Sequence, residues 1–479
     1  MSQQVVITSY LNHVLVGILE KGRLVEFFME KDEESRTVGN IYLGKVENIL
    51  PGMEAAFVDI GLERNAFLYA GDLNQADSDL PINKLLRKGE QILVQVTKEP
   101  EGTKGARVTS QLSIPGRYLV LMPMENNIGV SRQIVDSEER ERLKDIAERI
   151  KPGEMGLIIR TLAAGHSEEE LIQDRDYLVA LWDELQAKTK ASTAPKLIYH
   201  DYDLIHRILR DLVSEDTEQV LVEQEWIYNS IIAKAKSLGL PESVKIDLFQ
   251  GKVSLFEQLG LDHELEKAMR KQVWLNSGGY LIIDQTEALV SIDVNTGKYV
   301  GQKELRNTVL QTNLEAAAEI AKQLRLRNIG GIIIIDFIDM DNEADKKTVL
   351  EALETALAKD KTKSHVFGFT QLGLVEMTRK KSKQRLSNLL LVPCSHCKGR
   401  GQIYSQEITA IHIAQRIFSL AKEPDIHTIT VDCHPFVAVE LIGEQGSNLD
   451  ALKKQIKKEI IINTRRDLEL DQIKVAGHH

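Results

Sequence analysis

Residues 289–297 read LVSIDVNTG, and residues 332–340 read IIIIDFIDM. Strand alternation in the first puts Leu289, Ser291 and Asp293 on one face and Val290, Ile292 and Val294 on the other, with Asn295 following on the Asp293 face as the strand ends. In the second, four isoleucines lead straight into Asp336, and Asp339 stands three residues on. Burying such a run next to a carboxylate costs free energy unless the charge is paired or holds a metal. Two strand-end aspartates with a neighbouring Asn suit Mg²⁺, an ion that takes one or two carboxylates and completes its octahedron with water and phosphate oxygens. Acids after strands also act as turn and cap residues. Residue types alone do not bring Asp293 and Asp336 together in space.

Working outward, Tyr280–Asp284 and Ala288–Val294 are expected to pair as a hairpin. Thr312–Asn328 is expected to be an amphipathic helix with Leu314, Ala317, Ala318 and Ala321 on one stripe. A capping box from Thr312 to Glu315 would open that helix and Gly330-Gly331 would close it. At the start of the chain, Val5–Tyr10, Val14–Leu19 and Leu24–Met29 alternate like strands, the last two joined through a Lys21-Gly22-Arg23 turn. Five short runs follow between Thr37 and Leu112: Ile41–Val46, Ala55–Ile60, Ala66–Tyr69, Gln91–Thr97 and Ala106–Thr109. Their glycine-marked turns predict a small closed barrel of the OB type. After Pro115 the pattern is mixed, with helices over Ser137–Ile150 and Ser167–Lys190 and a strand at Gly156–Thr161 between them. KASTAP (190–195) is a linker candidate, and Tyr202–Val213, Glu223–Gly239 and His263–Gln272 carry helical periodicity. Val437–Ile462 reads helix, glycine loop, helix, strand.

The chain has 479 residues, enough for about three domains. Its 60 Lys+Arg against 71 Asp+Glu give a formal charge of −11, which excludes a basic tail-type nucleic-acid binder but leaves room for a local basic groove. Three cysteines exclude a disulfide scaffold and suit a reducing compartment. No apolar run approaches the ~18 residues of a membrane span, and the N-terminal MSQQVVITSYLNH lacks a secretory signal. These features predict a cytoplasmic, multidomain α/β protein.

Three segments, GGYLIIDQTEALVSIDVNTG (278–297), TNLEAAAEIAKQLRLRNIGGIIIIDFIDM (312–340) and FGFTQLGLVEMTRKK (367–381), closely resemble the catalytic region of the ribonuclease E/G family. NIYLGKV (40–46), EAAFVDIG (54–61), GRYLVLMP (116–123), GLIIRT (156–161) and a CxxC before a glycine-rich turn extend the resemblance over nearly the whole chain. The chain ends soon after a small last domain, as in the short form of the family, which lacks a long disordered scaffold. The implied architecture is a split RNase H-like domain (1–36 and 204–268) with an inserted OB-fold RNA-binding barrel (37–114) and a 5′-sensor region (115–203). A DNase I-like catalytic domain (269–392), a zinc-link (393–402) and a small α/β C-terminal domain (403–479) complete it.

The resemblance also implies roles for residues. The metal-binding aspartates fall on Asp293 and Asp336, with Asn295 in support of a catalytic Mg²⁺. The RNA-contacting aromatics and lysine fall on Phe57, Phe67 and Lys104, with Tyr42 as a companion. Read from the residues alone, such rings either stack bases or fill the barrel core. The sensor for a 5′-monophosphate falls on Gly116, Val120, Arg160 and Thr161. A further contact, usually Arg in the family, falls on Lys363, which supplies charge without the planar fork.

Cys394 and Cys397 offer two thiolates where a structural zinc needs four ligands. Two ligands from each of two chains would complete the site, and the resemblance implies such a zinc-linked dimer, able to pair into a tetramer. Pro393 precedes the first cysteine, and Ser395 takes the slot where the family usually has Pro. Arg379, Lys380, Lys381, Lys383, Arg385, Lys398 and Arg400 lie in a stretch without acids, either a solvated face or a strip for phosphates. The loop Gly443-Glu444-Gln445-Gly446 resembles the GxxG clamp of a KH domain, with a helix turn as the competing reading.

The activity implied is a metal-dependent endoribonuclease on single-stranded RNA, stimulated by a 5′-monophosphate and leaving a 5′-phosphate and a 3′-hydroxyl. Its substrates would be rRNA precursors and mRNA, in rRNA maturation and mRNA decay. A non-catalytic RNA-binding or ribosome-assembly factor built on the same barrel is the alternative, and a nuclease acting on DNA a third reading.

Overall fold

The strands Gln3–Tyr10, His13–Glu20 and Arg23–Lys31 form an antiparallel meander at the start of the chain. The chain then leaves this sheet and returns at Thr217–Val222, which pairs in parallel with the first strand, Val5 opposite Val220, and Lys245–Leu248 adds the outer edge. Val5, Ile7, Val16, Ile18, Val220 and Val222 are buried in one core with Ile208 and Leu209 of helix Leu204–Asp211 and Ile227 and Ile231 of helix Glu225–Ala235. The computed structural model describes residues 3–31, 37–73, 80–100, 104–201, 203–235, 239–297, 305–381 and 384–478. Tyr202 and Lys383 lie outside the described residues. Two compact units result, Met1–Leu389 and Leu390–His479.

Two further layers are built from the chain between the two halves of that first sheet in sequence. Strands Ile41–Leu50, Ala55–Asp59, Ala66–Tyr69, Arg107–Thr109 and Gln91–Lys98 pair in that order, and the last returns to the first, Tyr42 opposite Val94. The result is the closed five-stranded, OB-like barrel that the glycine-spaced runs predict. Lys196–Tyr199, past the KASTAP stretch, adds a sixth strand against Ile41–Leu43. The next layer is a four-stranded sheet of Ile128–Val130, Gly156–Ile159, Leu119–Met122 and Ile114–Pro115, covered by helices Ser137–Ile150 and Glu168–Lys190. The longer helix opens with a complete capping box, Ser167 and Glu170. Its Asp174 accepts the backbone N–H groups of Arg117, Tyr118 and Leu119 at 3.1, 2.8 and 2.9 Å, which fixes the turn into the sheet.

Both aspartate-bearing strands, Leu289–Asn295 and Gly331–Asp336, lie in a six-stranded sheet. Its order is Gln272–Trp274, Tyr280–Gln285, Leu289–Asn295, Gly331–Asp336, Val375–Arg379, Ser364–Phe369. One face is covered by helices Leu305–Leu326 and Glu343–Leu357: Leu281, Ile283, Val290, Ile292, Ile333, Ile335 and Met377 pack against Ala317, Ile320, Leu324, Val349 and Leu353. The covering helix runs well before Thr312, so no capping box opens there. Thr312 is buried in mid-helix with its hydroxyl donating to the Thr308 carbonyl at 2.9 Å, and Glu315 instead accepts the backbone N–H groups of Asn276 and Ser277 at 2.5 and 3.1 Å.

The second unit has a three-stranded sheet, Glu459–Thr464, Thr428–Cys433 and Lys474–His478, packed against helices Gln406–Ala421 and Pro435–Ile442. Glu444–Gly446 forms a single 3-10 turn between Pro435–Ile442 and helix Ser447–Ile456, where Asn448 Nδ2 donates to the Glu440 carbonyl at 3.0 Å. No helix among the described residues is long and apolar enough to cross a membrane.

Candidate active site

Asp293 and Asp336 stand directly opposite each other on adjacent parallel strands. Neighbouring strands lie about 5 Å apart, so the two carboxylates share one spot on the uncovered face. Asn295, two residues along on that face, donates from Nδ2 to Asp293 Oδ2 at 2.8 Å. Desolvation, then the charges of Asp293 and Asp339, push the Asp336 carboxyl up from its ordinary value. Asp339 is thus within electrostatic reach of the pair. A residue that the sequence reading missed holds the loop carrying Asp339. Buried Asn313 donates from Nδ2 to the Ile338 carbonyl at 2.8 Å and accepts the Ile338 N–H at 3.1 Å. Asn313 sits in TNLEAA on an otherwise apolar helix stripe, and a buried Asn there is the signal that a backbone needed a partner.

On the barrel, Phe57 and Phe67 are directly opposed across two antiparallel strands, their ring centroids 6.1 Å apart and edge-on at 71°. Both are half-buried, whereas Ala56, Val58, Ala66 and Leu68 fill the barrel interior. The rings thus lie outside the core. Asn48 pairs with Phe57 and Arg107 with Phe67, giving a polar–aromatic–aromatic–cation row across four strands. Lys104 is exposed nearby in the chain, just before Arg107. Tyr42 does not join them: at 6% exposure it is part of the barrel core. Tyr69, two residues beyond Phe67 and exposed, was not picked out by sequence.

Arg160, Thr161 and Lys363 line a single cleft of about 1230 Å³ together with Arg132, Lys361 and His365. Arg160 already hydrogen-bonds the Gly116 carbonyl and, at 2.7 Å, Asp211 Oδ1. Burial pushes the Asp211 carboxyl up, but hydrogen bonding and charge from Arg210 and Arg160 outweigh it and hold the group low. Thr161 Oγ1 donates to Gln133 Oε1 at 3.0 Å, and Gln133 Nε2 donates to the Lys361 carbonyl at 3.1 Å, so the two walls of the cleft are tied together. Val120 is paired to Ile158 on the neighbouring strand and does not line the cleft. Arg132, Lys361 and Asp211 escaped the sequence reading because they lie in three separate segments.

In the second unit, Cys397 Sγ accepts the Gly401 N–H at 3.3 Å, and this bond heads the causes that lower its thiol. Cys394 is exposed, and Cys433 is buried on a strand with its thiol pushed up by desolvation. His396 Nε2 lies 3.3 Å from Asp471 Oδ1 without hydrogen-bond alignment. Among the described residues no three His, Cys, Asp or Glu side chains converge on a metal-sized site. The cationic stretch is not one face: Arg379 is buried, bonded to Asp360 at 2.6 Å and to the Ile329 carbonyl at 2.8 Å. Lys380 and Lys381 are exposed, while Lys383 lies outside the described residues.

Comparison with known proteins gives two family matches: "Ribonuclease E/G family" over residues 113–382 and "RNase E/G, Thioredoxin-like domain" over 393–478. The second of these covers the glycine loop that resembles a KH clamp. Among curated proteins, ribonuclease G of Escherichia coli K12 is 40% identical over 461 residues, 93% of this chain and 94% of its own. Ribonuclease G of Haemophilus influenzae is 40% identical over 478 residues, 97% of each chain. Ribonuclease E of a Synechocystis strain is 41% identical over 410 residues, 84% of this chain and 60% of its own.

Proposed function

Because the chain belongs to the ribonuclease E/G family, we propose that it is a divalent-metal-dependent endoribonuclease of RNA processing, acting on single strands of rRNA precursors and mRNA in the cytoplasm. The observation that carries the catalytic assignment is the in-register pair Asp293–Asp336 with Asn295 bonded to it.

Asp293 and Asp336 would hold the ion. The fit is chemical: after desolvation, the charges of Asp293 and Asp339 raise the Asp336 carboxyl, a repulsion that a cation would relieve, and a pair of carboxylates matches the demands of Mg²⁺. When bound, such an ion acidifies a water and offsets charge developing on the phosphate. Asn295 keeps Asp293 in one rotamer by donating to Oδ2. Asn313 holds the backbone after Asp336, so neither acid needs reorganisation when substrate arrives. The products would be a 5′-phosphate and a 3′-hydroxyl.

Phe57 and Phe67, outside the barrel core, would stack bases, with Lys104 beside the backbone. The Arg160–Thr161–Lys363 cleft would take a 5′-monophosphate, with Gly116 and Val120 behind it. Arg160 is preset by Gly116 and Asp211, and Lys363 and Arg132 supply the net positive charge. Cys394 and Cys397 would be half of a zinc site. Donation from Gly401 favours the Cys397 thiolate, and two thiolates per chain require a second copy to complete a tetrahedron, hence a homodimer or dimer of dimers. The sheet shared by 1–36 and 204–268 is read as the RNase H-like domain, 37–114 as the OB-fold domain and 115–203 as the 5′-sensor. Residues 269–392 are read as the DNase I-like domain, 393–402 as the zinc-link and 403–479 as the small domain.

A 5′-monophosphorylated RNA oligonucleotide, incubated with Mg²⁺ and then with EDTA, tests the proposal. Cleavage only in the first arm is expected; cleavage in both, or in neither, refutes it.

A further inference from the structure

The uncovered face of the six-stranded sheet carries more than the two aspartates. Trp274 pairs with Tyr280, and Tyr280 pairs with Asn295, so these three side chains form one row across three strands on that face. The adjacent row holds Asp293 and Asp336. Trp274 is 65% exposed, although it is the largest apolar side chain available. Its ring lies 5.3 Å from the Tyr280 ring at an interplanar angle of 61°, so the two rings meet in a T rather than stacked, and most of the indole stays open to solvent. At one strand spacing per step, Tyr280 is about 5 Å and Trp274 about 10 Å from Asn295. That is one to two nucleotides from a phosphate seated at the acids.

The platform is held as firmly as the acids are. Leu275, next to Trp274, is anchored in the core, and its N–H bonds the Gly279 carbonyl at 2.8 Å to close the turn. Glu315 takes the N–H groups of Asn276 and Ser277. Gly297, at φ +61°, approaches the turn so closely that a Cβ there would lie 2.4 Å from the Gly278 carbonyl oxygen. The chain after Asn295 is therefore locked against the turn that carries the tryptophan. An exposed, rigid aromatic face beside an acid pair suits a nucleobase, which offers a π-face whatever its identity.

We infer that Trp274, supported by Tyr280, is a positioning residue that stacks the base of a substrate nucleotide one or two steps from the scissile phosphate and thereby sets that phosphate over Asp293 and Asp336. The inference rests on the nuclease reading above, and the test separates the two. Binding of a single-stranded RNA oligonucleotide to the full chain is measured in EDTA, and cleavage in Mg²⁺, for wild type, Trp274→Ala, Trp274→Leu and Trp274→Phe. The Ala and Leu variants should lose about tenfold in affinity and in kcat/KM, and Phe should restore most of it. An abasic scan should find one position near the cut where wild type loses about tenfold and Trp274→Ala loses nothing further; a purely structural role would not shift that profile.

Unchanged binding in Trp274→Ala, or an abasic profile identical to wild type, overturns the inference. So does a change in native mass with the abasic profile intact, which would assign the ring to contact with another protein chain. Wild type that binds with this pattern but never cleaves would retain the platform and remove the nuclease reading.

Discussion

Asp336→Asn separates the charge of the acid pair from its shape. At about 5 Å the two carboxylates repel by roughly 1 kcal/mol at the dielectric of water and roughly 3 kcal/mol at an effective value of 20. Asp336 is exposed, so the screened end applies and the metal-free gain from removing one charge is about 1 kcal/mol. In a unit of this size that raises the melting temperature by about 2 °C. Mg²⁺ reverses the order: at a hundred times its Kd it adds about 2.7 kcal/mol to wild type and little to the variant, whose cleavage falls to background. The pH dependence has a definite sign. Asp336 is raised above its ordinary 3.8 in the folded chain, and an acid with a raised folded pKa costs stability above that value and none below the unfolded one. The metal-free advantage of the variant is thus full at neutral pH and fades as pH falls through the raised pKa. Scanning calorimetry with EDTA and with Mg²⁺, beside a cleavage assay, reads all three quantities. A variant that is less stable than wild type without metal, or that retains Mg²⁺-dependent turnover, refutes the reasoning.

Phe57→Ala combined with Phe67→Ala should weaken RNA binding at least tenfold while moving the melting temperature little, since neither ring fills the core; unchanged affinity in the folded variant would end the stacking role. Thr161→Val should reduce the preference for 5′-monophosphorylated over 5′-hydroxyl RNA without altering the 5′-hydroxyl rate, and Arg160→Ala should abolish the preference at some cost in stability because Asp211 loses a partner; equal effects on both substrates would dismiss the sensor. Cys394→Ser should take bound zinc from about half an equivalent per chain to none and halve the native mass, and retention of the mass would place the dimer contact elsewhere.

The share of this molecule that sequence reveals follows the range of the forces involved. Alternation is local, so the common face of Asp293 and Asn295 is legible in nine letters. The placement of Phe57 and Phe67 is not: the residues alone leave core and surface open, and the structure decides by packing Ala56, Val58, Ala66 and Leu68 inward. The opposition of Asp293 and Asp336 depends on parallel pairing through a long crossover helix, which no local pattern encodes; only the family resemblance anticipates it. Tyr42 misleads because Ile41–Leu43 is covered on both sides, by the barrel core and by the four-stranded layer. Thr312 misleads because a Ser/Thr-x-x-Glu pattern caps a helix only where a helix begins, and this one is already helical at Leu305. Arg379 looks like one cation among many until Asp360, in the connection that follows helix Glu343–Leu357, is found to hold it. The strand Thr217–Val222, with polar Gln219 at its centre, gives a weak periodic signal and owes its place to the N-terminal strand it joins.

That last pairing has a consequence during synthesis. Gln3–Tyr10 is made well before its parallel partner Thr217–Val222, which follows the barrel and the four-stranded layer in the chain. At translation rates of 5–20 residues per second the delay is roughly 10–40 s. For that interval the opening meander has a naked apolar edge, open to strands of other nascent chains. The sheet that holds Gln3–Tyr10 can therefore close only once both inserted layers have been made.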